Sequence, residues 1–158
     1  MSSQDREPCA MIGRISAGAL GAGLPPRDHL VSRQHQKLVR SQIVKRVFAV
    51  QDVFVPAIKL TDLPNIFVDD TIRSVTYFHM LFDQHEVIFA EGAPTESLLT
   101  GPDALRALGS EARDDILTLF PEVTEVDHVP VPARRIPPDE LQKQLIERHL
   151  KIHKPSVE

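Results

Sequence analysis

Residues 74–82, SVTYFHMLF, run almost directly into residues 85–90, HEVIFA, with only Asp83 and Gln84 between them. Both stretches are rich in Val, Ile, Phe and Tyr, the residues that fit a pleated surface, and a two-residue connection is the shortest that joins antiparallel neighbours. The pair therefore reads as a β-hairpin. In the first arm Val75, Tyr77, His79 and Leu81 share one face, while Thr76, Phe78, Met80 and Phe82 share the other. Because successive side chains in a strand alternate, both faces of this arm are largely apolar. That pattern predicts a strand covered on both sides, as in a compact barrel-like sheet.

Working outward, short apolar runs bounded by polar or turn-forming residues recur toward the N-terminus: Leu30 and Val31, Leu38 and Val39, residues 47–55 and residues 66–68. Runs of this length and composition read as strands. A glycine- and proline-rich loop, GALGAGLPP at residues 18–26, precedes them. Beyond Gly92 the character changes. Residues 93–101 read as a loop, and residues 104–108 and 111–120 have helical composition, with Ser110 as a candidate N-cap and Pro121 as the stop. Residues 129–138, VPVPARRIPP, hold four prolines and predict an extended strap. Pro138, Asp139 and Glu140 then open an amphipathic helix with Leu141, Leu145 and Ile146 on one face. The expected organisation is a mainly β domain over residues 10–102. An α-helical C-terminal extension follows over residues 103–158, with residues 129–138 as its linker.

Composition narrows the function. The 158 residues carry 42% hydrophobic and 25% charged side chains, an ordinary globular balance. Net charge is -4, and the densest basic group, Lys37, Arg40, Lys45 and Arg46, is too sparse to be a nucleic-acid footprint. No apolar stretch is long enough to span a bilayer and the start of the chain does not read as a leader, so the expectation is no membrane partner and a cytoplasmic default. Cys9 is the single cysteine, which excludes a disulfide framework and a thiolate zinc site; its apolar neighbours make it a small packing residue. His35, His79 and His85 lack ligand spacing, so no metal and no cofactor are expected. The adjacent acids Asp69 and Asp70, and Asp114 and Asp115, point to different faces of any regular element and read as solvated charges.

Two segments give the chain a family resemblance. RDHLVSRQHQKLVR, residues 27–40, resembles the D-x-x-V-S-x-x-H strand of bacterial Hedgehog/intein (Hint) domains, through Asp28, Val31, Ser32 and His35. VTYFHMLFDQHEVIFAEG, residues 75–92, is similar to the penultimate strand pair of that family around His85, Ala90 and Gly92, and continues into APTES at residues 93–97. With the AGALGAGLP loop, the likeness runs from about residue 14 to about residue 119.

In the family the first residue of the domain, a Cys or Ser, attacks the preceding peptide carbonyl and turns an amide into a thioester or ester. The resemblance implies that His35 protonates the departing nitrogen, that Ser32 helps hold the distorted peptide, and that His85 hydrogen-bonds or packs beside them. The C-x-x-G-T nucleophile segment has no counterpart here, and Cys9 matches a different strand. Three readings stay open: a Hint domain inactive alone, a half completed by an N-terminal partner half, or a non-enzymatic β module that makes contacts through open sheet edges. Uncovered edges also imply self-association.

Overall fold

The structure, a computed structural model, describes residues 2–3 and 12–157; Cys9 lies outside the described residues. Among them three antiparallel sheets form, with strands β1 (Ser2–Ser3), β2 (Ile12–Ile15), β3 (His29–Ser32), β4 (Gln36–Arg40), β5 (Asp52–Pro56), β6 (Ile66–Asp69), β7 (Tyr77–Phe78), β8 (Val87–Ala90) and β9 (Ala93–Glu96). The sheets have the strand orders β1-β7, β3-β2-β6 and β5-β4-β9-β8. The helices are α1 (Gln42–Phe48), α2 (Ala57–Leu60), α3 (Pro102–Ala107), α4 (Ser110–Leu119) and α5 (Asp139–Ile152), with a single 3-10 turn at Pro121–Thr124. The fold is mainly β with a C-terminal helix, as the sequence predicts.

The predicted hairpin is displaced. β8 pairs with β9, Val87 opposite Glu96 and Ala90 opposite Ala93, so the turn falls at Glu91 and Gly92 rather than at Asp83 and Gln84. Both turn residues have positive φ, 49° and 70°, the geometry a two-residue hairpin requires. Gly92 adopts it freely. Glu91 is held there by a bidentate pair with Arg27, whose Nε and Nη2 donate at 2.6 and 2.7 Å. Residues 93–101, read as a loop, thus begin with a strand.

Residues 74–82 stay extended and alternate as expected, but only Tyr77 and Phe78 are paired in a sheet, with Ser3 and Ser2. One face is half-buried while Phe78, Met80 and Phe82 are 74%, 55% and 41% exposed. The expected two-sided burial is therefore replaced by an apolar ridge. A strand needs a ladder partner, and β8 has given its own to β9.

The run at residues 47–55 also divides. Ser41 caps α1, its Oγ accepting from the Val44 N–H at 3.3 Å, and Ile43, Val44 and Phe48 turn into the core at helical spacing. Ala49 closes the helix in the left-handed region, and the strand starts at Asp52. Ser110, expected to cap the next helical stretch, is the first helical residue of α4, with Gly109 as the cap.

One apolar core unites the two larger sheets and the last helix. Ile15, Val31, Val39, Val44, Val53, Val55, Leu60 and Ile66 pack with Leu145 and Ile146 of α5 and with Val157. The chain end is stitched back by the Val157 N–H donating to the Leu20 carbonyl at 2.8 Å. A Cβ on Gly21 would lie 2.6 Å from the Val157 oxygen, so this close approach requires glycine. A smaller cluster, Leu108, Ala112 and Ile116, joins α3 and α4 to Leu81 and Leu98.

Asp69 departs from the solvated charge predicted for it. It is buried on β6 and accepts from Arg14 Nε at 2.6 Å and from Thr71 Oγ1 at 2.5 Å. The Thr71 hydroxyl and the Arg14 guanidinium hold its carboxyl below the usual range. Arg14 also reaches Asp28, tying β2 to the residue that begins the family-like motif.

Candidate functional site

Ser32 ends β3 and His35 immediately precedes β4, joined by a turn in which the His35 N–H donates to the Ser32 carbonyl at 3.1 Å. The turn is pinned from outside: the Arg33 and His35 carbonyls accept from the Ile58 and Ala57 N–H groups, each at 2.9 Å, at the start of α2. The spacing of three therefore puts both residues at one corner, as the sequence implies.

Hydrogen-bond directions fix the state of His35. Thr95 Oγ1 donates its one proton to the Gln36 carbonyl at 2.7 Å, so at 2.6 Å from His35 Nε2 it acts as acceptor. Nε2 then carries the hydrogen and Nδ1 is left with its lone pair. Burial, followed by the charges of Lys37, His79 and His29, pushes His35 down to about 3. At neutral pH the imidazole is neutral, with Nδ1 its basic atom.

Glu96 joins the two predicted histidines. Its Oε1 accepts from the Gln36 N–H at 2.8 Å and lies 4.0 Å from His35 Nδ1. Its Oε2 lies 3.2 Å from His85 Nε2. His85 Nδ1 accepts from the Ala133 N–H at 2.9 Å, so a neutral His85 carries its hydrogen on Nε2 and shares it between Glu96 and the Ser97 carbonyl at 3.1 Å. Burial pushes His85 down and raises Glu96 to about 7. His85 also packs on the ring of Phe54, with centroids 5.4 Å apart. It lies against the strap, whose Arg135 carbonyl extends the sheet by accepting from the Phe54 N–H at 2.9 Å.

Lys37 is the residue that the sequence gives no reason to select. It stands opposite Thr95 across β4 and β9, two positions after His35 and on the same face. Its side chain is fully buried, and Nζ has no hydrogen-bond partner among the described residues. Burial lowers it to about 8, against the pull of Glu96. His29, on β3, is lowered to about 4, first by burial and then by Lys37.

Among the described residues, no group of three His, Cys, Asp or Glu side chains is arranged to hold a metal ion. No helix among them is long and apolar enough to cross a membrane.

The fold and site define a class: a mainly β domain in which a Ser-x-x-His corner is buttressed by a half-buried carboxyl group and a second histidine. The sequence of residues 2–102 matches the family model of the Hint domain, and the chain belongs to that family, part of the Hedgehog/intein autoprocessing superfamily. No curated protein and no solved structure matches it.

Proposed function

We propose that this chain carries the histidine half of a peptide-cleaving acyl-shift site, idle until a nucleophile-bearing segment of the Hint fold packs against it. The observation that carries the reading is the neutral His35, with Nε2–H committed to Thr95 and Nδ1 available, at the motif corner of a Hint family chain.

A neutral imidazole cannot begin as the acid. His35 Nδ1 first accepts the proton of the attacking thiol or hydroxyl as the new bond to the peptide carbonyl carbon forms. The imidazolium then returns that proton to the amide nitrogen as the C–N bond breaks, leaving an ester or thioester and a free amine. Glu96 offsets the transient positive charge from 4.0 Å. Ser32, at the same corner, hydrogen-bonds the distorted peptide. His85 lines the site beside Glu96, holding that carboxyl and the strap in register. The exposed ridge of Phe78, Met80 and Phe82 suits the docking of a nucleophile-bearing segment, the same feature a purely non-enzymatic contact module would use.

The test supplies a nucleophile-bearing N-terminal half, fused or separate, and follows dithiothreitol-induced precursor cleavage over time. His35→Ala slows it by on the order of a hundred- to ten-thousand-fold, the range of general acid–base catalysis. Ser32→Ala costs about ten-fold, His85→Ala falls between, and Cys9→Ala changes nothing. Cleavage by His35→Ala at the unaltered rate, or its loss in Cys9→Ala, rejects the assignment.

A further inference from the structure

Away from this site, α1 and α5 border an open groove of about 290 Å³ with an apolar floor. Ile43 and Ile152 form the floor, and Arg46, Arg148 and Lys151 form the rim. All three cations are exposed, and among the described residues none takes part in an ion pair. A groove of this kind fits an apolar side chain flanked by carboxylates.

The chain carries such a segment. Residues 111–127, from α4 through the 3-10 turn, hold six acids, Glu111, Asp114, Asp115, Glu122, Glu125 and Asp127, against the single Arg113. That concentrates a charge more negative than the net -4 of the whole molecule in 17 residues. All six acids are exposed. Between them stand two apolar side chains that the fold leaves in water, Leu119 at 68% and Val126 at 100% exposure. Asp115 lies four residues before Leu119 on α4, the spacing that sets an acid beside an apolar tip on a helical surface, and Glu122 follows three residues later in the 3-10 turn. The groove stays open although this segment is present in the same chain, so the two surfaces do not satisfy each other within one molecule.

We infer that the groove between α1 and α5 takes the acidic 111–127 segment of a second copy of this chain, with Leu119 seated between Ile43 and Ile152 and the carboxylates on Arg46, Arg148 and Lys151. The contact joins two different surfaces, so it is head-to-tail and extends into rings or chains as concentration rises. It is independent of the acyl-shift chemistry.

Sedimentation velocity of the full chain tests this. At low ionic strength the weight-average sedimentation coefficient rises with protein concentration. At about 1 M salt, where the screening length falls to roughly 3 Å, the association constant drops by at least about ten-fold. R148E/K151E on the groove and D115K/E122K on the segment each abolish self-association, because like charges then face each other. Mixed together, the two variants associate again, since each now presents a surface complementary to the other; recovery separates a lost contact from a lost fold. The inference is overturned if the unaltered chain stays monomeric at low salt. It is equally overturned if either variant still self-associates as the parent does, if the mixture fails to recover, or if the groove charges affect only binding to anionic vesicles.

Discussion

Lys37 and Val39, toward the two ends of β4, are both buried, and they are buried in opposite ways. At its C-terminal end Val39 faces Val53 and packs into the core that holds Leu145 and Ile146, after which Ser41 caps α1. At its N-terminal end His35 and Lys37 face Thr95, with Glu96 beyond, in a cluster where every group titrates or hydrogen-bonds. The apolar end gains from leaving water, at about 25 cal/mol per Å². The polar end leaves an amine without a partner among the described residues, and desolvating such a group is costly. One end of the strand builds the fold, and the other spends stability on a site.

The largest effect separating them comes from truncating the apolar end. Leu145→Ala removes a fully buried side chain where the sheets and α5 meet, and large-to-small changes of this kind cost about 2–5 kcal/mol through lost burial and the cavity left behind. Leu119→Ala on α4, an exposed leucine on a comparable amphipathic helix, changes stability by less than about 0.5 kcal/mol. Denaturant unfolding of the two variants checks the contrast, and equal losses would contradict it.

At the polar end the direction reverses. Lys37→Met keeps the volume and removes the buried amine, so the variant is more stable than the parent near neutral pH. The gap between the ordinary value of 10.5 and about 8 in the fold corresponds to roughly 3 kcal/mol at 1.36 kcal/mol per unit, before any relaxation of the site. The sign follows from proton binding: between pH 8 and 10.5 the unfolded chain holds a proton on Lys37 that the folded chain has lost, so parental stability rises with pH across that window. Lys37→Met flattens the rise. A variant that is less stable, with the slope intact, would show that Nζ is satisfied.

The same end gives the molecule its acid sensitivity. His35 and His29, lowered from 6.5 to about 3 and about 4, stabilise the fold least where they are forced to protonate, so stability falls as pH drops below 6.5. Glu96, raised to about 7, works the other way: its contribution is complete below 4.5 and is lost as pH rises through 7. From pH 4.5 to 6.5 these two imidazoles, with His85 lowered in the same direction, oppose one carboxyl, and net stability rises with pH. Thermal unfolding across that range measures the slope, and Glu96→Gln steepens it by removing the opposing group. A parental slope of zero or below would mean that the histidines are not held neutral.

Legibility in the sequence follows the range of the interactions involved. β3, β4, β6 and α5 are visible because their periodicity or composition is local, and Ser32 and His35 are visible through a motif of eight residues. α1 is hidden because Ile43, Val44, Val47 and Phe48 are β-branched or aromatic types placed at helical spacing, with only the Ser41 cap to mark the change. The hairpin turn is hidden because Glu91 relies on Arg27, 64 residues away. Glu96 and Thr95 escape notice within APTES, where Pro94 suggests a loop, yet they join the two histidines that the motif implies. Lys37 reads as a surface charge until the strand pairing places it between β5 and β9.

The smallest of these effects sits at the apolar end and is carried by a polar pair. His149 Nδ1 lies 2.9 Å from the Leu145 carbonyl, which can only accept, so Nδ1 holds the hydrogen and Nε2 is the acceptor. Ser41 Oγ, 2.9 Å from Nε2, therefore donates its proton to His149 while its lone pair takes the Val44 N–H. One hydroxyl thus caps α1 and fastens α5 to it. Ser41→Ala removes both bonds and costs about 2 kcal/mol, roughly 1 for the cap and 1 for the buried hydrogen bond. Ser41→Thr keeps the hydroxyl and restores most of that loss, provided its extra methyl is accommodated beside α5. Hydrogen exchange distinguishes the two roles: losing the cap alone opens the first turn of α1, whereas losing the fastening also raises exchange in α5 around Leu145 and Ile146. Exchange confined to α1 would show that α5 is held by its apolar face without the help of Ser41.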